Sequence, residues 1–276
     1  MQYLTHYDGA RRLLWGYFAP LAVPSFTPQL LDDVQAHEQS LDTAEGPLRT
    51  SAFQPVNYYA WASRTPGYFS LGGDLAHFVD CIERRDHGVL LAYATQCVDI
   101  LHRRIMHYQA SPLITLALVQ GPALGGGLEA ALANDVLIAE EHATFGFAEI
   151  LFNLFPGMGG YSLLCRRIGM RATEAMIGGG ATYSAKACLA MGVVDRVVPT
   201  GTGVAALHAF VDETQARHNG LAAMHAAREV AMPISHEELL TITAQWVDAA
   251  LRLSPANLVH MKHLVQRQRA RLAPQP

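Results

Sequence analysis

The 276 residues carry 20 Lys and Arg against 24 Asp and Glu, a net charge of −4 that gives no global reason to bind nucleic acid or anionic membranes. Half of the residues are hydrophobic and only 16% are charged, which argues against disorder and suits a globular protein, or subunit, with a large apolar interior. The four cysteines, Cys81, Cys97, Cys165 and Cys188, show no CxxC or other metal spacing and fit a reduced cytoplasm.

The N-terminal stretch lacks a long apolar leader core, and no later stretch approaches a membrane span. "LLWGYFAP" (13–20) reads as an early strand, and Thr27-Pro28 as the cap and first position of a helix through residue 41. "VNYYAWAS" (56–63) is strand-like and runs into the turn "GYFSLGGDL" (67–75); apolar spacing then predicts a helix over 90–108. "LITLALVQ" (113–120) is a continuous apolar run, as a buried strand requires. It delivers the chain into "GPALGGGLEAALAND", with a helix from about Leu128, a strand over 135–141 and an apolar loop over 145–160. A helix capped by Ser184 and ended by Gly192 precedes another strand. From about Val204 the pattern is helical: Ser235 with Glu238 reads as a capping box, and Ser254-Pro255 starts a last helix ending in the basic run 266–272. The pattern divides into an α/β core over 1–200 and a helical region over 201–276.

A buried strand, a glycine turn and a helix place a cluster of backbone N–H groups where a ligand oxygen can approach. Gly125, Gly127 and Ala130 satisfy a permissive G-x-G-x-x-A dinucleotide pattern, with Glu140 as a loose partner acid; no Lys-Ser/Thr follows to make a P-loop. The competing reading is an oxyanion hole, its second donor supplied by "SLGGDL" (70–75). Two isolated carboxylates favour it. Glu129 follows the glycines among Ala and Leu, and Glu149 is the only formally charged residue between Glu141 and Arg166. Such a pair can have its pKa values pushed apart, leaving one acid and one base, as an elimination or hydration needs.

The stretch "LVQGPALGGGLEAALANDVLIAEEHATFGFAEILFNLFPGMGG" resembles the active-site core of the crotonase superfamily, the enoyl-CoA hydratase/isomerase fold, and the likeness extends through "YSAKACLAMGVVDRVVP". It implies a crotonase-like α/β spiral of ββα units over 1–200 that holds the active site, with a C-terminal helical region over 201–276 for oligomerisation and pocket closure. It also implies catalytic roles for Glu129 and Glu149, twenty residues apart, and oxyanion donors at the N–H groups of Gly73 and Gly126. Ala148 stands where many hydratases have Pro. "SLGGDLAHFVDCIERR", "EILFNLFPGMGGYSLLCRRI" and "TITAQWVDAA" are most similar to bacterial synthases of diffusible signal factor, cis-2-unsaturated fatty acids used in quorum sensing. That likeness implies dehydration of a 3-hydroxyacyl chain and hydrolysis of its thioester. No separate cofactor is implied, since the substrate rides on the phosphopantetheine of acyl carrier protein or CoA. The partners implied are acyl carrier protein, further copies in a homotrimer or dimer of trimers, and a regulatory protein. An ordinary enoyl-CoA hydratase/isomerase and a non-catalytic binding protein are the alternatives.

Plainer duties compete for the same residues. Glu129 could serve its own helix dipole, and Gly73 and Gly126 could be turn glycines. Leu71, Leu128 and Trp246 are candidate pocket residues, with core packing the default for Trp246. His260 and His263 make no metal pattern, no GxSxG makes Ser162 a nucleophile, and Arg84/Arg85, Arg103/Arg104 and Arg166/Arg167 read as solvated charge that a carrier protein could use.

Overall fold

The computed structural model describes residues 1–43 and 46–272, apart from the side chains of 269, 271 and 272; part of the basic run therefore lies outside the described residues. The chain opens with β1 (Tyr3–Asp8) antiparallel to β2 (Leu13–Phe18), then passes through α1 (Pro28–Gln39) to β3 (Tyr58–Ser63), parallel to β2. Next, α2 (Leu75–Glu83) and α3 (His87–Ile105) lead to β4 (Ile114–Val119), parallel to β3. Beyond β5 (Ala123–Leu124) and α4 (Gly126–Leu132), β6 (Val136–Glu140) extends the sheet past β4. β7 (Thr144–Gly146), α5 (Gly160–Ile168), α6 (Met170–Gly179), β8 (Thr182–Ser184) and α7 (Ala185–Met191) precede β9 (Arg196–Val198). The main sheet has the order β1-β2-β3-β4-β6-β9, and β5, β7 and β8 form a second one. Only helices follow: α8 (Gly203–Thr214), α9 (His218–Ala231), α10 (His236–Leu251) and α11 (Pro255–Leu272), apart from a short 3₁₀ turn between α8 and α9.

The apolar runs in β3 and β4 reflect burial on both faces, as parallel strands flanked by helices demand. Alternate side chains sort onto the two faces. Tyr58, Ala60, Leu116 and Leu118 pack with Leu207 and Val211 of α8, whereas Tyr59, Trp61, Ala117 and Val119 join the larger core with α1 and α3. The loops after the C-terminal ends of β3 and β4 stand on that second side.

Local chemistry explains most boundaries. Thr27 accepts from Leu30 N with Pro28 in the first turn, and Ser184 accepts from Ala187 N before Gly192 ends α7 at φ 82°. Ser235 accepts from Glu238 N, but the Glu238 carboxylate pairs with Arg166 at 2.8 Å, so the capping box is only half made. β1, α2, α5 and α6 were not anticipated. α2 is announced by Asp74, whose Oδ1 accepts from Ala76 N and His77 N, and the polar surface of β1 hides its pairing to β2.

The arginine pairs depart furthest from expectation. Arg104 is fully buried, with its guanidinium 4.2 Å from the Tyr59 ring and 4.4 Å from that of Trp61, and it donates to Asn134 Oδ1 and to the Tyr59 and Leu116 carbonyls. A buried cation is tolerated only when its donors find acceptors, and these contacts supply them. Arg166 and Arg167 are engaged by Glu238 and Asp195, while Arg84 stays exposed beside Asp80. No described helix is long and apolar enough to cross a membrane.

Candidate active site

Parallel strands end at one edge, so the turns leaving β3 and β4 meet there. The first runs through Gly72 and Gly73 into α2, and the second through Gly125 and Gly126 into α4. They touch: a Cβ placed on Gly126 would lie 3.3 Å from Gly73 N. Among the described residues neither the Gly73 nor the Gly126 N–H donates a hydrogen bond. Two free, adjacent N–H groups from separate loops can polarise one carbonyl oxygen. Tyr93 braces the first loop, accepting from Asp74 N at 3.3 Å and donating to the Phe26 carbonyl at 2.5 Å.

Gly125 has φ 52°, and a Cβ there would run into the Glu149 carboxylate, so glycine is required twice over. Glu129, 1% exposed, sits in the first turn of α4. Its carboxylate does not merely face its own helix: Oε1 accepts from Met158 N at 3.0 Å and Gly160 N at 2.8 Å, at the entrance to α5. Burial raises its pKa to about 7, and those two N–H groups hold it from rising further. Glu149 begins a 3₁₀ turn over Glu149–Phe152. Its Oε2 is buried without a partner among the described residues. Burial first, and the charge of Glu129 second, raise its pKa to about 8. The two carboxyls thus form a coupled pair, both raised above the ordinary carboxylate range by burial.

Gly73, Gly126, Glu129 and Glu149 all line one cavity of about 250 Å³, with Leu71 and Trp246 in its wall. Trp246 is both core and wall, its ring 5.1 Å from that of Phe78. Leu128 is a correction: it is fully buried in the core and does not line the cavity, because the next helical position, Glu129, takes the cavity-facing side. The dinucleotide reading also falls. Glu140 is engaged by Gln120, Gly201 N and Gly203 N, anchoring the start of α8 rather than awaiting a ribose. No group of three or more metal-ligating side chains occurs among the described residues.

Sequence patterning missed the Met158 and Gly160 amides, the Tyr93 brace and Cys97 in the cavity wall. The last helix, α11, is marked in the sequence, but not the reach of its Leu264, Arg267 and Gln268 into the cavity. The glycines of "PGMGG" signal a close backbone approach, but nothing in them names the carboxylate that approaches.

Residues 61–265 match the enoyl-CoA hydratase/isomerase family. The chain belongs to that family. An enoyl-CoA isomerase/hydratase (fer4) of Mycosarcoma maydis is 36% identical over 135 residues, 49% of this chain and 46% of that protein. A probable enoyl-CoA hydratase of Bacillus subtilis is 32% identical over 127 residues, 46% of each chain. The chain thus spans less than half the length of these curated relatives. Among solved structures, human mitochondrial delta3-delta2-enoyl-CoA isomerase superposes with a TM-score of 0.77 at 19% identity, covering 98% of this chain and 99% of that one. Enoyl-CoA hydratase from Bacillus halodurans gives 0.74 at 19% identity, covering 95% and 100%. The fold is that of the crotonases.

Proposed function

We propose that the protein is an acyl-thioester hydratase/isomerase-type enzyme that adds water across, or removes it from, the C2–C3 bond of an enoyl chain carried on CoA or an acyl carrier protein. One observation carries this reading: two buried carboxyls sharing a cavity with two free N–H groups. The Gly73 and Gly126 N–H groups hold the thioester oxygen and stabilise the enolate; one such donor contributes about 3–4 kcal/mol. Glu129, held by the Met158 and Gly160 amides, takes a proton from water as its oxygen attacks C3. Glu149 gives its proton to C2. In the reverse direction Glu149 takes the C2 proton and Glu129 protonates the departing hydroxyl.

The test is incubation of the purified protein with trans-2-enoyl-CoA and the corresponding carrier-protein thioester, read by mass spectrometry. A gain of one water in the intact thioester is expected, with a loss of about a hundredfold or more in Glu129→Gln and Glu149→Gln. Unaltered turnover in both variants would refute the roles.

A finer reading follows the resemblance to diffusible signal factor synthases: dehydration of a 3-hydroxyacyl carrier-protein thioester to the cis-2-enoyl form, then hydrolysis to the free acid. The observation favouring it is that two of the resembling stretches meet in the cavity wall, through Phe78 and Trp246. In that reading the oxyanion donors also serve the tetrahedral intermediate, and an acidic carrier protein and a trimeric assembly are the partners. Free cis-2-enoic acid from the 3-hydroxyacyl substrate supports it; product that stays esterified counts against it.

A further inference from the structure

The cavity continues well past the carboxyl pair, and α3 measures how far. Tyr93, Cys97 and Leu101 recur every four residues and all line it, so one face of α3 runs along its length. Tyr93 stands level with Gly73, through its bond to Asp74 N. Leu101 lies eight residues further on, about 12 Å along the helix axis. Trp61 joins the wall at that depth, because Arg104, three residues beyond Leu101 on α3, has its guanidinium 4.4 Å from the indole. Trp61 lies opposite Ala117 in the sheet and two residues before the end of β3.

Trp61 is a braced floor. It is 1% exposed, the Phe18 ring packs against it at 5.4 Å, and the Arg104 guanidinium lies over it at 4.4 Å. Arg104 is itself held by Asn134 and by backbone carbonyls of β3 and β4, so the indole has no space behind it. An extended chain advances about 1.2 Å per bond, so 12 Å accommodates roughly ten bonds beyond the thioester carbon.

We propose that Trp61, backed by Arg104, closes the acyl chamber and limits the chain to about ten to twelve carbons. This rests on the acyl-thioester reading above and assigns the residue that selects chain length within it. The glycine turns and carboxyls are indifferent to what lies beyond C4; the floor is not.

The experiment measures binding of unreactive saturated acyl N-acetylcysteamine thioesters, from hexanoyl to hexadecanoyl, by displacement of a fluorescent fatty acid. Affinity is expected to rise about three- to fourfold per methylene to a maximum at ten to twelve carbons, and to fall at least tenfold by hexadecanoyl. Trp61→Ala moves the maximum about two to four carbons longer, by opening the space the indole fills. Val34→Phe moves it shorter by about two. Trp61→Leu, which keeps an apolar group under Arg104, gives a smaller shift in the same direction should the alanine variant fail to fold. Affinity still rising at hexadecanoyl in the unaltered protein, or an unmoved maximum in folded variants, overturns the proposal. A length profile of this kind without turnover of any enoyl thioester would leave the floor standing and remove the acid–base reading. Turnover without a length optimum would do the reverse.

Discussion

Replacing Glu149 by Gln should abolish turnover and stabilise the fold, but only at alkaline pH. The carboxyl is raised from 4.5 to about 8 by burial and by Glu129, and its Oε2 has no partner among the described residues. A raised carboxyl means that the native state holds a proton the unfolded chain has released. Stability is therefore complete below pH 4.5 and is progressively lost up to about pH 8. Each unit corresponds to about 1.4 kcal/mol, so the native state forgoes at most about 4 kcal/mol near pH 8 and under about 1 kcal/mol near pH 5. Glutamine is neutral at both. Thermal unfolding of the two proteins in acidic and alkaline buffer checks this. The variant should melt several degrees higher than the unaltered protein at alkaline pH and within a degree or two of it in acid. An equal shift in both buffers, or a lower melting temperature in alkali, would refute the electrostatic reasoning and leave Glu149 as an ordinary packed side chain.

Gly125→Ala combines a left-handed φ of 52° with a Cβ directed into the Glu149 carboxylate, so it should remove nearly all activity and cost about 1–2 kcal/mol in a denaturant titration. A fully active Gly125→Ala enzyme would show that the carboxylate need not sit there. Arg104→Leu leaves Asn134 Oδ1 and the Tyr59 and Leu116 carbonyls to find other donors in a sealed site, and should lower stability by about 3 kcal/mol or more. An unchanged unfolding midpoint would mean that the stacked cation contributes nothing net.

The sequence alone marked the candidate positions, Gly73, Gly126, Glu129 and Glu149, that the fold gathers around one cavity. A glycine turn leaving a continuous apolar strand marks a buried backbone approach, and a carboxylate isolated among Ala, Leu and Phe is conspicuous because burial of charge is expensive. Local signals also marked the caps at Thr27, Ser184 and Ser235, since a cap is made by residues three apart. Tertiary structure alone decided what those groups meet. That Glu129 Oε1 is held by the Met158 and Gly160 amides depends on contacts across 29 and 31 residues, and Glu149 Oε2 is buried without a partner among the described residues. The rise of both pKa values follows from the burial that folding imposes. Leu128 and Glu129 are neighbours in sequence, yet one helical step of about 100° sends one into the core and the other into the cavity. Arg104 read as surface charge because a buried arginine is defined by the carbonyls and rings around it, and these come from β3, β4 and the end of α4. The depth of the chamber belongs to the same class: length, unlike reactivity, is a distance between elements that only folding brings together.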